Sequence, residues 1–183
     1  QMQAKRLIPN SYLRWRHGRG FGIHSPFAYN FICLTLRERL PYYAYPALRE
    51  ELRRSGADMS HHDLGLIFRI VTRFMPESVA IFGDNNAGVE RTAVTAVSEH
   101  ITFSPSAAFV IVNGDFDRAA RHLESLAGHS FIAIFPKGDD SSTSLLRRTL
   151  DTLDYGMSFR NRKGFTIITA LPHLPRQDFD VRF

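Results

Sequence analysis

Three short stretches carry residue types that could bind or transform a ligand. Gly83-Asp84-Asn85-Asn86-Ala87-Gly88 follows one apolar run and precedes a helical pattern. Small residues there would let backbone N–H groups and the next helix's N-terminus approach a polar ligand. Only Gly83 and Gly88 are present, so G-x-G-x-x-G is not met, and a strand-to-helix turn rich in Asn and Asp is an equal reading. No Gly-Lys-Ser/Thr follows, which excludes a P-loop. Asn113-Gly114-Asp115-Phe116-Asp117 and Pro136-Lys137-Gly138-Asp139-Asp140 end two further apolar runs. Their aspartates could ligate a metal or act as bases, or could cap the helices that begin there.

A fourth stretch differs in kind. Arg14-Trp15-Arg16-His17-Gly18-Arg19-Gly20-Phe21 interleaves arginines with aromatics, as binders of single-stranded nucleic acid do. Arg14, Arg16 and Arg19, with His24 just beyond, are the candidate substrate- or anion-binding residues. A solvated basic arm that docks its aromatics onto the domain is the plainer reading. The eight histidines show no metal-ligand spacing, so no metal is expected. Cys33 lies in an apolar helical segment and reads as a packed residue. No G-x-S-x-G elbow is present.

The elements that must position these residues follow from hydrophobic periodicity. Ser25-Pro26 starts a helix over about 26–39, and Pro46 opens a short one ended by Gly56. Ser60 with Asp63 forms a capping box before Leu64, Ile67, Phe68, Val71 and Phe74. Apolar strands are expected at 78–82, 107–112 and 131–135. Helices fill the intervals, with faces such as Val89, Ala93, Ala96 and Val97. The runs 157–160 and 165–170 flank Asn161-Arg162-Lys163-Gly164 as a hairpin. Unbroken apolar strands alternating with helices predict an α/β fold, a mostly parallel, Rossmann-like sheet covered on both faces, with a C-terminal antiparallel hairpin. Residues 1–56 read as a basic helical cap, and 57–183 as a compact α/β core.

Composition agrees. With 44% hydrophobic and 22% charged residues the chain is globular rather than disordered or collagen-like, and its apolar runs are too short to span a membrane. A single cysteine and no basic-then-apolar leading segment point to a reducing cytoplasm. The net charge of +5 is uneven: residues 1–54 hold ten Lys and Arg against three Glu, and the remainder is slightly acidic. Twenty of the 23 basic residues are arginine, the side chain suited to bidentate contact with phosphate or carboxylate. An anionic partner at the cap fits this pattern, as do self-association into a homo-oligomer and plain solubility.

His17-Gly18-Arg19-Gly20-Phe21-Gly22-Ile23-His24-Ser25-Pro26-Phe27, with Tyr42-Tyr43-Ala44-Tyr45 and Leu48–Arg53, resembles the N-terminal region of Bacteroidetes class I S-adenosylmethionine-dependent methyltransferases. Those chains carry an HGVHSPF-like segment before a Rossmann-like core. Phe109–Phe116 is similar to a strand ending IDGNH, Phe131–Gly138 to a strand ending in paired aspartates, and Gln177–Phe183 to the family's closing segment. The resemblance implies a shortened methyltransferase-type domain and S-adenosylmethionine as cofactor. Gly83, Asp84, Asn85, Asn86, Gly88 and Asn113 would then be the residues that hold it.

The departures from the family fall on the chemistry. Ile81 stands where an acid precedes the cofactor loop. Asn113 and Phe116 replace the aspartate and histidine of IDGNH, and Pro136 and Lys137 replace the paired aspartates. The interval after Gly83 is too short for a full βαβαβ stretch, and Ile101-Thr102-Phe103-Ser104 carries no carboxylate for the cofactor ribose. These departures imply a degenerate methyltransferase homologue that works as a binding or interaction protein. The alternatives are an active methyltransferase with an atypical cofactor loop, and an anion or nucleic-acid binder acting through the arginine-rich cap.

Overall fold

The computed structural model describes residues 23–83 and 87–183. Ser25 caps the first helix, α1 (Pro26–Phe31): the Ala28 N–H donates to its Oγ at 3.3 Å, and Pro26 sits where a missing N–H costs nothing. The segment is shorter than its periodicity suggests. After Phe31 it widens into a π-helical turn, Ile32–Leu36, and stops. Helix α2 (Ala44–Ser55) starts ahead of Pro46, and Gly56 ends it in the left-handed conformation. Helix α3 (His61–Phe74) begins at Ser60, whose Oγ accepts from the Asp63 N–H at 3.1 Å and donates to the Asp63 carboxylate at 2.6 Å. The capping pair expected from sequence is thus present, and α3 buries an unbroken run from Leu64 to Val71.

The core then alternates as β1 (Ser78–Gly83), α4 (Ala87–Thr95), β2 (Thr102–Phe103), β3 (Phe109–Asn113), α5 (Phe116–Ser125), β4 (Phe131–Phe135), α6 (Asp140–Asp151), β5 (Met157–Arg160), β6 (Thr166–Ala170) and β7 (Gln177–Asp180). The seven strands form one sheet in the order β2-β1-β3-β4-β6-β5-β7. Strand β1 pairs in parallel with β2 and β3, and β3 with β4. The closing hairpin supplies the antiparallel part, β6 lying between β4 and β5. The tail, not among the strands expected above although Asp178-Phe179-Asp180-Val181 alternates polar with apolar, is a seventh strand parallel to β5.

Two apolar layers cover the sheet. On one face α1, α3 and α4 bury Phe31, Ile67, Ile70 and Val94 against Ile111, Ile134, Phe159 and Ile167. Phe31 packs edge-on against Phe159 with ring centroids 4.9 Å apart, which ties the N-terminal segment to the hairpin. On the other face α5 and α6 bury Ala119, Leu123, Leu145 and Leu146 against Val110, Ala133 and Ile168. The protein is therefore an α/β fold of Rossmann-like type, mostly parallel with an antiparallel hairpin. Among the described residues no helix is long and apolar enough to cross a membrane.

The second strand decides how the site is built. Phe103 and Phe109 both register with Val79, one on each side of β1. Strand β2 therefore stops near the start of β1, and the chain crosses beneath β1 through residues 104–108 without a helix. β1 runs on to Gly83, roughly 13 Å further at about 3.3 Å per residue.

Candidate functional site

Strand order reverses at β1, between β2 on one side and β3 on the other. In open α/β sheets the crevice beyond the carboxyl ends of such strands is where ligands bind. Gly83 and Asn113 meet there as register partners. The structure thus brings together two of the six residues expected to hold the cofactor, Gly83 and Asn113. Asp84, Asn85 and Asn86 lie outside the described residues, as do Arg14, Arg16 and Arg19. Gly88 is exposed in the first turn of α4, with open space where a Cβ would sit. His24 is exposed just ahead of the α1 cap, at the opposite end of the sequence motif from the arginines.

The residue that completes this end of the sheet is Glu90. It projects from the first turn of α4 and is 0% exposed. The Asn113 Nδ2 donates to its Oε1 at 3.1 Å. Its Oε2 and the Asn113 Oδ1 are buried without hydrogen-bond partners. A Cβ placed on Gly83 would lie 3.6 Å from Glu90 Oε2 and 3.7 Å from Asn113 Cβ, so the carboxyl rests against the glycine's open side. Burial pushes the Glu90 carboxyl up to about 8, against the pull of the Asn113 amide and the Lys137 charge. At neutral pH it is a protonated, uncharged group, which keeps the cost of enclosing it modest. A signal for it existed in the sequence: Glu90, Ala93, Val94 and Val97 share one helical stripe, with an acid at its head.

The other strand ends resolve into structural roles. Asp139 is the N-cap of α6, its Oδ1 accepting from the Ser142 N–H at 2.7 Å. Asp115 takes the left-handed conformation (φ 44) ahead of α5 and makes no capping hydrogen bond; its carboxylate pairs instead with Arg118 at 3.0 Å. Cys33 is half-buried against the core. Among the described residues no three His, Cys, Asp or Glu side chains gather as a metal set. Lys137, beyond β4, pairs with Asp58 at 2.9 Å and helps line a groove of about 590 Å³ with Ser60, Asp63, Asp139 and Lys163. Gly138 and Gly164 let its floor form: a Cβ on Gly164 would sit 2.5 Å from the Gly138 Cα, so the two loops cross backbone to backbone.

A second polar cluster lies where α2 meets α3. Arg69, on α3, is 7% exposed, and its guanidinium donates to the backbone carbonyl of Glu38. Its Nε has no partner. The Glu38 carboxylate is occupied by the Tyr42 hydroxyl, which donates to it at 2.6 Å. Burial and that carboxylate together push the Tyr42 phenol up to about 12. Tyr42 and Tyr45 each pack edge-to-face on Phe68, and their hydroxyl groups lie within electrostatic reach of Arg69.

A Rossmann-like sheet with this end geometry is the class of protein the coordinates define. No protein-family model matches the sequence, and no curated protein matches it either.

Proposed function

We propose that this chain is a methyltransferase-like protein that has lost S-adenosylmethionine-dependent catalysis and works as a binding or interaction protein. The observation that carries the reading is the length of β2. A dinucleotide or nucleoside cofactor at a switch point is held by a carboxylate at the end of the second strand, through its ribose hydroxyls. Here β2 ends level with Val79, and Ser104, the residue after it, is not an acid.

Three further features support the same reading. Asn113 stands where the resembling family has an aspartate, and it is engaged with Glu90. The Glu90 carboxyl, packed between Gly83 and Asn113, is turned inward, buried and pushed toward its neutral form. Pro136 and Lys137 leave β4 without an acid directly at its end. The described residues at these strand ends therefore support the loss of the cofactor. Each missing charge-assisted hydrogen bond is worth about 1.5–3 kcal/mol, so two of them weaken binding roughly a hundredfold or more.

Titration calorimetry of the full chain with S-adenosylmethionine and with its demethylated product tests this. The expected result is no binding heat with either compound. Micromolar binding would overturn the reading and return the chain to the active methyltransferases, with the loop around Asp84 and Asn86 as its cofactor site.

A further inference from the structure

The seam between α2 and α3 contains a cavity of about 140 Å³, well apart in kind from the neutral switch point. Its polar lining comes from Arg69, Arg49, His61, His62 and Tyr45. Among the described residues lining it none is acidic. Arg69 is the anchor. A guanidinium keeps its charge in any protein environment, presents five donors in a fixed fork, and is buried here with its Nε unpartnered. The Glu38 carboxylate acts on this cation through its charge, but the hydrogen bond at that acid comes from the Tyr42 hydroxyl, and Arg69 reaches Glu38 only at its backbone carbonyl. A buried donor left unpartnered beside a cavity that no acid lines is costly, so a site of this kind suits an anion.

The shape of the cavity narrows the anion's class. His61 and His62 belong to the first turn of α3, a fourteen-residue helix whose dipole favours negative charge there. Arg49 reaches the same cavity from α2 with its head in solvent. Gly65 keeps the wall open on the α3 side, with the Tyr45 ring 3.7 Å from where its Cβ would be. Donors therefore converge from two helices on a space of small-oxyanion size. Such an arrangement suits a phosphate group, with three or four oxygens and up to two charges, better than a planar carboxylate.

We propose that the α2–α3 seam is a binding site for a phosphate group, gripped by Arg69 from below and by Arg49, His61 and His62 at its mouth. The site goes beyond the proposed loss of cofactor binding and stands whether or not that loss is found.

The experiment is thermal denaturation of the full chain in inorganic phosphate, against sodium chloride of matched ionic strength near neutral pH. Phosphate raises the melting temperature beyond chloride, as a ligand of the native state must. Arg49→Ala, an exposed substitution that leaves the fold intact, weakens the apparent affinity by about tenfold, and Arg69→Lys by at least as much. If Arg69→Lys does not fold, Arg49→Ala decides alone. Arg147→Ala, at an exposed arginine of α6 on the other face of the sheet, keeps the affinity within about twofold.

No rise over chloride overturns the site. So does a rise that Arg147→Ala weakens as much as Arg49→Ala does. Acetate as strong as phosphate overturns the phosphate assignment. A phosphomonoester such as glycerol phosphate separates the sources: tighter binding of the ester assigns a phosphorylated metabolite or headgroup, and tighter binding of inorganic phosphate assigns the free ion.

Discussion

Glu90 and Arg69 are both charged by type and both buried, yet they meet burial in opposite ways. At the switch point the Glu90 carboxyl takes up a proton and becomes neutral, held by the Asn113 amide. In the α2–α3 seam Arg69 has no such route. Burial lowers its pKa, but a guanidinium starts too high to lose its proton, so the cation persists, bonded to the Glu38 carbonyl and in the field of the Glu38 carboxylate. Both sites keep unpartnered polar atoms, and the difference lies in charge. A neutral carboxyl attracts no counter-ion, whereas an enclosed cation with an unpartnered donor does.

The largest expected effect comes from deleting the persistent charge. Arg69→Ala removes the bond to the Glu38 carbonyl and a long side chain that is 7% exposed. A loss of about 2–4 kcal/mol in urea denaturation is expected. A loss under about 0.5 kcal/mol would erase the contrast, because the guanidinium would then be idle.

The next test works on the other partner, through pH. Glu90 binds its proton more tightly folded than unfolded, where the ordinary value is 4.5. Its contribution is therefore fully present below about pH 4.5 and is lost as pH rises to about 8, with a slope of up to about 1.4 kcal/mol per pH unit. Glu90→Gln keeps the shape and cannot ionise. It should match the parent near about pH 4 and exceed it by about 3–5 kcal/mol near about pH 8.5. Equal stabilities at both values would mean that the carboxyl is already ionised when buried.

Two smaller substitutions sharpen the comparison. Ser60→Ala removes the N-cap of α3, the helix that carries Arg69 and whose first turn lines the seam cavity. Its expected cost in the same denaturation experiment is about 1 kcal/mol. Gly83→Ala adds a methyl at the switch point that meets Glu90, Asn113 and Ala87 at ordinary contact distances. A change within about 0.5 kcal/mol is expected, and a loss above about 2 kcal/mol would show the strand end to be tighter than these distances allow.

Much of the architecture was legible from residue pattern because each signal was local. The caps at Ser25 and Ser60, the left-handed stop at Gly56, and the apolar strands at β1, β3 and β4 all stand where propensity puts them. The short interval after Gly83 correctly foretold a stunted second strand. The tail carried a signal too, since Asp178 and Asp180 alternate with Phe179 and Val181 as in a half-buried strand, and it pairs with β5. Asp115 looks like a cap, but its backbone is left-handed and its carboxylate pairs with Arg118. The stripe of Glu90, Ala93, Val94 and Val97 points Glu90 at the core, but its partner Asn113, far along the chain, is visible only in the fold. Arg69 was passed over as one arginine among twenty.

The state of Glu90 is the point on which the neutral switch point stands, and it can be read directly. Carbon-13 labelling of the glutamate side chains and an NMR titration, assigned with Glu90→Gln, follow the carboxyl through its proton loss. An inflection near pH 8 is expected from its burial. An inflection near the ordinary 4.5 would contradict it, and would mean that a charged carboxylate faces Gly83 and Asn113 where a ligand could use it.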